Sequence, residues 1–434
     1  MIRLGFYVEN YIIGGTERYL ADLLAGLDRS QYDISLFSNP NRAFKDYLLM
    51  RGLGYIPHWT IPILPPYPYL AVRYANKRLR RINQNNQHSQ RRKQSQYLKR
   101  GKEIVNGLWR YATAGPNLVM LASALRSRPI DILHINNGGY PGAETCRLAV
   151  LAANWVKIPV RLMSIHNQPF ETVFPQKMER FIDRLIHESL SLIIVTSDTT
   201  RYSLEKVRGF PTTKMRTVNL GIGDPDPVPS HIIDAKREEL GIGPYDRIVG
   251  IVANFEERKG HTYLLHGVPE IRSCVPNIKF VLVGAGELLK SMVDLAINLG
   301  ISQHVIFTGF RNDISHLLAT FDINVLTSLA FESNPLINLE AMALRKPVVA
   351  TNISGIREAV EDGVTGILVP PADSKSLAQA IISLLMDKSK ARAMGEAGRA
   401  RYLKQFTLKR MINAVEHIYA EQTGRVQLMR ENSG

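Results

Sequence analysis

Two glutamates eight positions apart, Glu332 and Glu340, flank residue types that typically open a helix. In the segment FESNPLINLEAMA, Ser333 or Asn334 can act as the N-cap, and Pro335 can be the first helical residue. The first backbone N–H groups of such a helix point into the preceding loop and can bind an anion such as phosphate. The sequence therefore predicts an anion site at this helix start, with a carboxylate on either side.

A carboxylate repels phosphate, so each glutamate needs a different ligand group. Glu340 lies about five residues into the predicted helix, and a rise of about 1.5 Å per residue puts it roughly 7–8 Å from the helix start. That distance suits a ribose whose 2′ and 3′ hydroxyls donate to the carboxylate, while Glu332 faces a sugar beyond the diphosphate. The spacing therefore predicts a nucleotide-sugar site. The alternative is one helix glutamate and one exposed loop glutamate with structural roles only.

The length and composition indicate a globular protein of two domains. A chain of 434 residues exceeds one ordinary core. Two cysteines, Cys146 and Cys274, exclude a disulfide framework and a cysteine-rich metal site. The sequence has neither the pattern of a signal peptide nor a run of the about 20 apolar residues that span a bilayer, so we expect a cytoplasmic location.

The net charge of +15 lies in the first half of the chain. Residues 1–225 contain 31 Lys and Arg against 16 Asp and Glu, and the remainder has 23 of each. The insertion 77–102 carries ten basic residues and no acidic one, directly after the apolar, proline-rich stretch 61–74. This combination predicts a mobile loop or solvated helix that binds an anionic membrane surface. A solvated insertion without a partner is the alternative. Nucleic acid is not expected, because RNA-binding segments interleave aromatic and basic residues.

Short β-branched runs alternate with helical patterns, which predicts parallel sheets that bind ligands beyond the carboxyl ends of their strands. The predicted strands are 4–8, 131–135, 160–165, 192–197, 248–253, 279–284, 305–309, 323–328, 346–351 and 366–369. The segment 221–230, GIGDPDPVPS, marks a domain boundary. Its Asp224 and Asp226 have the spacing of a metal-binding pair, but a proline-rich linker is favoured because no further ligand is nearby.

The surroundings of the two glutamates resemble a known family. Residues 331–373 are similar to the signature of the group-1, retaining glycosyltransferases of the GT-B fold, which include bacterial polysaccharide and lipid-linked sugar transferases. The resemblance implies an α/β protein with two Rossmann-like domains whose parallel sheets face each other across a cleft. Residues 1–222 would form the acceptor domain with the basic insertion 77–102, residues 223–405 the nucleotide-sugar domain, and 406–434 a helix that returns to the first domain.

The resemblance also assigns roles to residues of the glycine loop and of the glutamate motif. It implies that Glu332 lies near the donor sugar and that Glu340 binds the ribose. Gly14 and Gly15 match the family's glycine loop, where the bare backbone can approach a sugar-phosphate or an acceptor, and Thr16 is expected to cap the next helix. A plain strand-to-helix turn is the alternative for the glycine pair.

A histidine and a lysine complete the expected chemistry. The segment MSIHNQPF resembles the strand end that carries the family's active-site histidine, so His166 is expected to contact the donor sugar or to assist the acceptor hydroxyl. His134, at a similar strand end, is the competing candidate. Lys259 matches the lysine of the family's diphosphate clamp, whereas Asn254 replaces the usual arginine and supplies no charge.

The sequence thus yields a defined set of candidate residues. Phe310 enters it because its loop resembles the one that brackets the nucleobase through backbone contacts. The predicted catalytic residues are His166, Glu332 and Lys259, and the predicted donor-binding residues are Gly14, Gly15, Asn254, Lys259, Phe310, Ser333, Asn334, Pro335, Leu336 and Glu340. The resemblance implies no metal and no cofactor besides the nucleotide-sugar substrate.

The implied activity is retaining transfer from a UDP-sugar, or secondarily GDP-mannose, to a hydroxyl of a lipid-linked or polysaccharide acceptor at the inner face of the membrane. Lys259 and the helix-start N–H groups would stabilise the leaving diphosphate. A non-catalytic membrane scaffold with a decayed fold is one alternative, suggested by Asn254. A dehydrogenase is another, but Leu289 occupies the third glycine position of its Gly-x-Gly-x-x-Gly motif.

Overall fold

A computed structural model describes residues 1–11, 13–65, 91–171 and 176–431. The first part of the basic insertion 77–102 lies outside the described residues, and only the helical backbone of its remainder is described. The chain forms two compact units. The first unit comprises Met1–Val195, Arg201–Thr217 and Val415–Gly434, and the second unit comprises Thr196–Thr200 and Val218–Ala414.

The first unit is built on a seven-stranded parallel sheet. Its strands are β1 (Ile2–Val8), β2 (Tyr32–Ser38), β3 (His58–Thr60), β4 (Ile132–Asn137), β5 (Val160–Ile165), β6 (Leu192–Val195) and β7 (Met215–Thr217). They pair in the order β3-β2-β1-β4-β5-β6-β7. The helices of this part of the chain are α1 (Gly15–Gly26), α2 (Arg42–Met50), α3 (Arg91–Arg126), α4 (Glu144–Trp155), α5 (Gln176–Ser189) and α6 (Asp198–Arg208).

The second unit is built on a six-stranded parallel sheet. Its strands are β8 (Arg247–Val252), β9 (Ile278–Val283), β10 (Val305–Gly309), β11 (Ile323–Leu326), β12 (Val348–Thr351) and β13 (Gly366–Val369), paired in the order β10-β9-β8-β11-β12-β13. The helices that follow α6 are α7 (Ser230–Glu239), α8 (His261–Cys274), α9 (Leu289–Asn298), α10 (Ile314–Thr320), α11 (Leu336–Ala343), α12 (Ile356–Ala359), α13 (Ser374–Met386), α14 (Lys388–Gln405) and α15 (Leu408–Glu431). From Val415 onward α15 belongs to the first unit.

These sheets confirm the predicted α/β class with two parallel-sheet domains. Every predicted strand is present, and β5, β10 and β13 have the predicted bounds. Three strands, β2, β3 and β7, were not predicted. Two of these, β3 and β7, are three-residue strands at the sheet edges, too short to leave a clear pattern in the sequence. Among the helices of the described ranges, none combines the length and the apolar character needed to cross a bilayer.

Apolar side chains on the strands form the core of each unit. In the first unit Ile135 and Met163 lie in a buried cluster with the helices, and Ile251 and Leu282 do so in the second. Removing such a side chain from water stabilises a fold by about 1.5–3 kcal/mol. The cores fix the sheets, and each sheet has a switch point where its strand order reverses: between β1 and β4, and between β8 and β11. Crevices beyond the carboxyl ends of the strands open at such points.

Candidate functional site

At the switch point of the second unit, two loops of opposite charge meet. The loop after β8 carries Arg258 and Lys259, and the loop after β11 carries Glu332. Lys259 Nζ donates to Glu332 Oε1, and Arg258 Nη1 donates to the same oxygen at 3.2 Å. Ser328 Oγ also donates to it, at 2.9 Å. Glu332 is only 6% exposed, and these donors compensate for the burial of its charge.

Backbone contacts hold the two loops in register. Leu329 N donates to Arg258 O at 2.7 Å, and Thr327 Oγ1 donates to Lys259 O at 2.8 Å. Gly260, with a φ of 64°, lies so close that a Cβ there would be 2.1 Å from Thr327 O. A side chain at this position is therefore excluded, and the backbone of Lys259 is fixed beside the Glu332 loop.

The helix after Glu332 begins differently from the prediction. The first residue of α11 is Leu336, Pro335 takes the N-cap position, and no side chain caps the helix. The expected N-cap role of Ser333 or Asn334 and the expected helical position of Pro335 were therefore wrong. Because the first-turn N–H groups have no side-chain cap, the helix start can donate to an anion.

Ser333 is drawn away from the helix start by other hydroxyl groups. Its Oγ lies 2.7 Å from Thr200 Oγ1, 2.9 Å from Thr196 Oγ1 and 3.0 Å from Ser197 Oγ. All four residues belong to the second unit. The competition between this hydroxyl cluster and the helix terminus explains why the predicted cap does not form. It also ties down the loop that carries Glu332.

The backbone is strained just before Glu332 and tightly packed just after it. Phe331 has a φ of 61°, a left-handed conformation that costs a residue with a side chain about 1–2 kcal/mol. Gly355 N donates to Glu332 O at 3.1 Å, and a Cβ on Gly355 would lie 1.3 Å from Ser333 O. Strain of this kind persists where the surrounding structure enforces it, which is common at functional sites.

The remaining predicted donor-binding residues of the second unit also lie beyond the carboxyl ends of its strands. Asn254 is exposed after β8, and its Nδ2 donates to Glu256 Oε1 at 3.4 Å. Phe310 follows β10 and is 72% exposed. Leu336 and Glu340 are half-buried on α11.

Asn334 has a buried acceptor without a partner. Its residue is buried, and its Oδ1 receives no hydrogen bond within the described part of the chain. Buried polar atoms in folded proteins are rarely left unpaired, so such an atom beside a helix start calls for an explanation. A hydroxyl group of a ligand would supply the missing donor.

The aspartates of the boundary segment do not form a metal site with other ligands. Asp224 Oδ2 accepts from Arg399 Nη2 at 2.8 Å, which makes this residue part of an ion pair. No group of three or more metal-ligating side chains occurs among the residues that the structure describes.

The glycine loop of the first unit lies at its switch point, directly after β1. Gly14 is the N-cap of α1 and Gly15 its first residue, and Glu17 Oε2 accepts from Gly14 N at 2.9 Å. The expected capping role of Thr16 was wrong, because this residue already lies inside the helix and the Glu17 carboxylate satisfies the N-cap amide.

His166 lies beside the first turns of α1. Its Nε2 is 2.7 Å from Asn136 Oδ1, and Asn136 Nδ2 donates to Thr16 O at 3.2 Å. Because Asn136 Oδ1 only accepts, His166 Nε2 carries the proton. Burial lowers the pKa of His166 to about 3, so the imidazole is neutral near pH 7. The structure thus brings His166 and the glycine loop together through one asparagine.

The competing histidine, His134, lies in the interior of the first unit. Its Nδ1 is 2.5 Å from Tyr419 Oη, and its Nε2 is 2.5 Å from Ser164 Oγ. Both ring nitrogens therefore have partners within the protein. These contacts give His134 a structural role, whereas His166 lies beside the glycine loop.

Glu9 is a candidate that the sequence analysis missed. It follows β1 directly, and its Oε2 accepts from both the backbone N and the Oγ1 of Thr145 at 2.7 Å. Thr145 lies in the first turn of α4, so Glu9 bridges the elements on either side of the switch point. Burial raises the pKa of Glu9 to about 7. An acidic residue directly after a buried strand was the available signal.

The raised pKa of Glu9 predicts a pH-dependent stability. Between the ordinary carboxyl pKa and about 7, the folded state binds a proton that the unfolded state has lost, so this contribution to stability declines as pH rises through that range. We expect Glu9→Gln to gain stability relative to the natural protein from about pH 5 to about pH 8. Urea unfolding followed by tryptophan fluorescence measures this, since all three tryptophans lie in the first unit. An equal difference at both pH values would contradict it.

Two family models together match most of the chain. Residues 232–401 match the family described as glycosyl transferases group 1, and residues 14–221 match the glycosyl transferase 4-like domain. The first match covers the Lys259–Glu332 pair and α11, and the second covers the glycine loop and His166.

Curated relatives match over shorter segments. The chain is 33% identical over 183 residues to an N-acetyl-alpha-D-glucosaminyl L-malate synthase of Bacillus anthracis, covering 42% of this chain and 48% of the relative. It is 36% identical over 172 residues to a GDP-mannose-dependent alpha-(1-6)-phosphatidylinositol monomannoside mannosyltransferase of Mycolicibacterium smegmatis, covering 38% of this chain and 44% of the relative. The chain thus spans about half the length of the curated relatives it matches.

Solved structures extend the likeness to the whole fold. The crystal structure of the Anabaena protein HepE in complex with UDP superposes with a TM-score of 0.72 at 20% identity, covering 97% of this chain and all of that one. Together, the two matched models and the parallel-sheet architecture show that this chain belongs to the group 1 glycosyltransferases and has the GT-B fold.

Proposed function

We propose that the protein transfers a sugar from a nucleotide-diphosphate sugar, with retention of anomeric configuration, to a hydroxyl of a lipid-linked or polysaccharide acceptor. The observation that carries this proposal is the contact of Lys259 and Arg258 with Glu332 at a switch point, beside the uncapped start of α11. Cations and helix-start N–H groups stabilise a diphosphate, whereas a buried carboxylate recognises sugar hydroxyls.

Arg258 supplies a second cation near Glu332, where the sequence has Asn254 in place of the expected clamp arginine. Both Arg258 and Lys259 reach one carboxylate oxygen of Glu332, and Arg258 Nε also donates to Glu256 Oε2 at 2.8 Å, so two cations are balanced by two carboxylates. When a diphosphate binds, Lys259 can turn toward it while Arg258 keeps Glu332 compensated. The negative charge that develops on the leaving group would then be stabilised without a metal ion.

Two further residues fit the roles proposed for them. The unpaired Oδ1 of Asn334 can accept a hydroxyl of the donor. The neutral His166 can hydrogen-bond the donor sugar or the acceptor hydroxyl, but its depressed pKa makes it a poor source of a proton. We therefore assign His166 a positioning role in the reaction.

We favour a UDP-sugar as the donor and GDP-mannose as the second choice. HepE was crystallised with UDP and with UDP-glucose, and its fold covers 97% of this chain. The Mycolicibacterium relative is GDP-mannose-dependent. Assaying donor hydrolysis over a panel of UDP- and GDP-sugars tests the proposal. Hydrolysis of none of them would favour the non-catalytic scaffold.

We also propose a cytoplasmic location on the inner face of the membrane. The charge excess of residues 1–225 and the basic insertion 77–102 support it, because anionic lipids attract Lys and Arg. An acceptor carried by a lipid would be met at such a surface. The name of the Mycolicibacterium relative contains such a lipid-linked sugar, phosphatidylinositol monomannoside.

The ribose assignment gives a direct prediction for Glu340. We expect Glu340→Ala to weaken UDP binding by about 1–3 kcal/mol, because hydrogen bonds to a charged acceptor are lost. Isothermal titration calorimetry with UDP measures this. Glu270→Ala, which removes an exposed carboxylate from α8 of the same unit, serves as the matched control. An unchanged affinity of Glu340→Ala for UDP would remove the ribose assignment.

A further inference from the structure

Helix α5 buries charged side chains and exposes apolar ones. Glu179 is 1% exposed and Asp183 is 2% exposed, whereas Met178 and Phe181 are 48% and 55% exposed. A helix on a globular core normally turns its apolar stripe inward and its charges outward. The arrangement in α5 is the reverse for these four residues, so the outward face requires a reason.

Arginines from three other helices hold α5 in this rotation. Glu179 Oε2 accepts from Arg147 Nη1 at 2.8 Å and from Arg208 Nη2 at 3.1 Å, and Glu179 Oε1 accepts from Arg110. Asp183 Oδ1 accepts from Arg208 Nη2 at 3.0 Å. Although burial alone raises it, these arginines lower the pKa of Glu179 to about 2.

This ion network makes the exposure of the apolar residues a fixed property of the fold. Turning Met178 and Phe181 inward would rotate both carboxylates away from their arginines and leave buried charges unpaired. Breaking a buried ion pair in this way is strongly destabilising. The outward face of α5 therefore stays apolar for as long as the first unit is folded.

Basic residues accompany the exposed apolar ones. Lys177, Arg180 and Arg184 are all exposed, at three- and four-residue spacing along one stripe of the helix, beside the stripe of Met178 and Phe181. Such a face suits an anionic lipid surface, because apolar side chains enter the acyl boundary while cations meet the phosphates of the head groups.

Helix α3 of the same unit also exposes apolar residues. Arg110 of α3 contacts Glu179 of α5, which places this turn of α3 against α5. The same turn exposes Leu108 and Trp109. Tryptophan is a residue that favours the boundary between head groups and acyl chains. The exposed apolar side chains are therefore not confined to one helix.

The charges decide between a lipid surface and a second copy of the chain. In a symmetric dimer through this face, Lys177, Arg180 and Arg184 of one subunit would lie against the same stripe of the other, where Glu188 is the one exposed acidic residue, and the excess of like charges disfavours such an interface. We infer that the outward face of α5, formed by Met178, Phe181, Lys177, Arg180 and Arg184, docks on an anionic lipid bilayer.

This inference deepens the proposed function and partly rests on it, because a lipid-linked acceptor would be reached from that surface. It assigns membrane docking to a defined helix that is separate from the insertion 77–102. Sedimentation with lipid vesicles requires neither donor nor acceptor. The proposed docking surface and the proposed transfer activity can therefore be tested independently of each other.

The test is co-sedimentation of the full chain with phosphatidylcholine vesicles that contain phosphatidylglycerol, compared with phosphatidylcholine alone. We expect Met178→Ser/Phe181→Ser to weaken binding to the anionic vesicles at least about tenfold. Replacing Lys177, Arg180 and Arg184 with glutamine should weaken it about 100-fold and remove the preference for anionic lipid. Leu49→Ser/Met50→Ser, which changes two exposed apolar residues of α2 in the same unit, should bind like the natural protein.

The outcomes separate the inference from its rivals. If both α5 variants bound anionic vesicles as tightly as the natural protein, the inference would be wrong. It would also be wrong if only the deletion of residues 77–102 abolished this binding. If the natural protein did not bind anionic vesicles, the inference would also be wrong. An acidic protein would then be the partner that fits the outward face of α5. Donor hydrolysis without vesicles should be unchanged in the serine variant, so a chain without any hydrolysis would contradict the proposed function and not the docking surface.

Discussion

Lys259→Ala is expected to lose about 100- to 1,000-fold in kcat for donor turnover. The ammonium group of Lys259 is held by the Glu332 carboxylate, and its backbone is fixed by Thr327 and Gly260. A cation placed in this way needs little reorganisation when charge develops on the leaving diphosphate. Steady-state kinetics with the preferred donor measures the loss in kcat and KM separately.

Variants of Glu332, the partner of Lys259, and of an unrelated lysine test this prediction further. Glu332→Gln should also lose activity, and the double variant should lose less than the two single losses combined, because the two residues act in one contact. Lys290→Ala removes an exposed lysine from α9 of the same unit and should leave kcat unchanged. A rise in KM alone for Lys259→Ala would show that the lysine binds ground state and transition state equally, which contradicts the catalytic role.

Most strands could be predicted from the sequence, three of them with the observed bounds, whereas the helix caps could not. Strands such as β5 and β10 lie in parallel sheets, and their nearly continuous apolar runs are readable without knowledge of their neighbours. Caps depend on what else approaches the helix start. Ser333 was a reasonable cap until Thr200 and two other hydroxyls competed for its side chain.

The site could be predicted residue by residue but not as an assembly. Glu332 and Lys259 were both identified, yet their contact joins residues 73 positions apart and depends on β8 and β11 being neighbours. The role of Arg258 follows from the same pairing. Glu9 was missed because its environment is created by Thr145, which follows a different strand.

The orientation of α5 shows the same limit for packing. Met178, Phe181 and Ile182 have the spacing of one helix stripe, yet only Ile182 packs against the core, and Met178 and Phe181 are exposed. The inward face carries Glu179 and Asp183 beside Ile182 and Ile186, and the arginine partners of the two carboxylates come from α3, α4 and α6. Which stripe of a helix is buried is thus a property of its neighbours as well as of its own residues.

This ion network is expected to make Arg147→Ala the most destabilising single change in the first unit. Arg147 is fully buried and donates to Glu144 Oε2 at 2.6 Å and to Glu179 Oε2 at 2.8 Å. Removing one partner of a buried ion pair typically costs about 3–5 kcal/mol. Urea unfolding followed by tryptophan fluorescence measures the free energy of unfolding of this unit, because Trp59, Trp109 and Trp155 all lie within it.

An exposed ion pair provides the control, and pH provides a second test. Arg42→Ala removes the exposed partner of Asp46 on α2 and should change the free energy of unfolding by no more than about 0.5 kcal/mol. The folded-state pKa of Glu179 is depressed from 4.5 to about 2, so its ion pairs contribute fully above the unfolded value and are lost as pH falls toward 2. The difference between the natural protein and Arg147→Ala should therefore narrow on acidification. A loss below about 1 kcal/mol at neutral pH would mean that Arg110 and Arg208 compensate Glu179 without Arg147, so that α5 does not depend on this residue for its orientation.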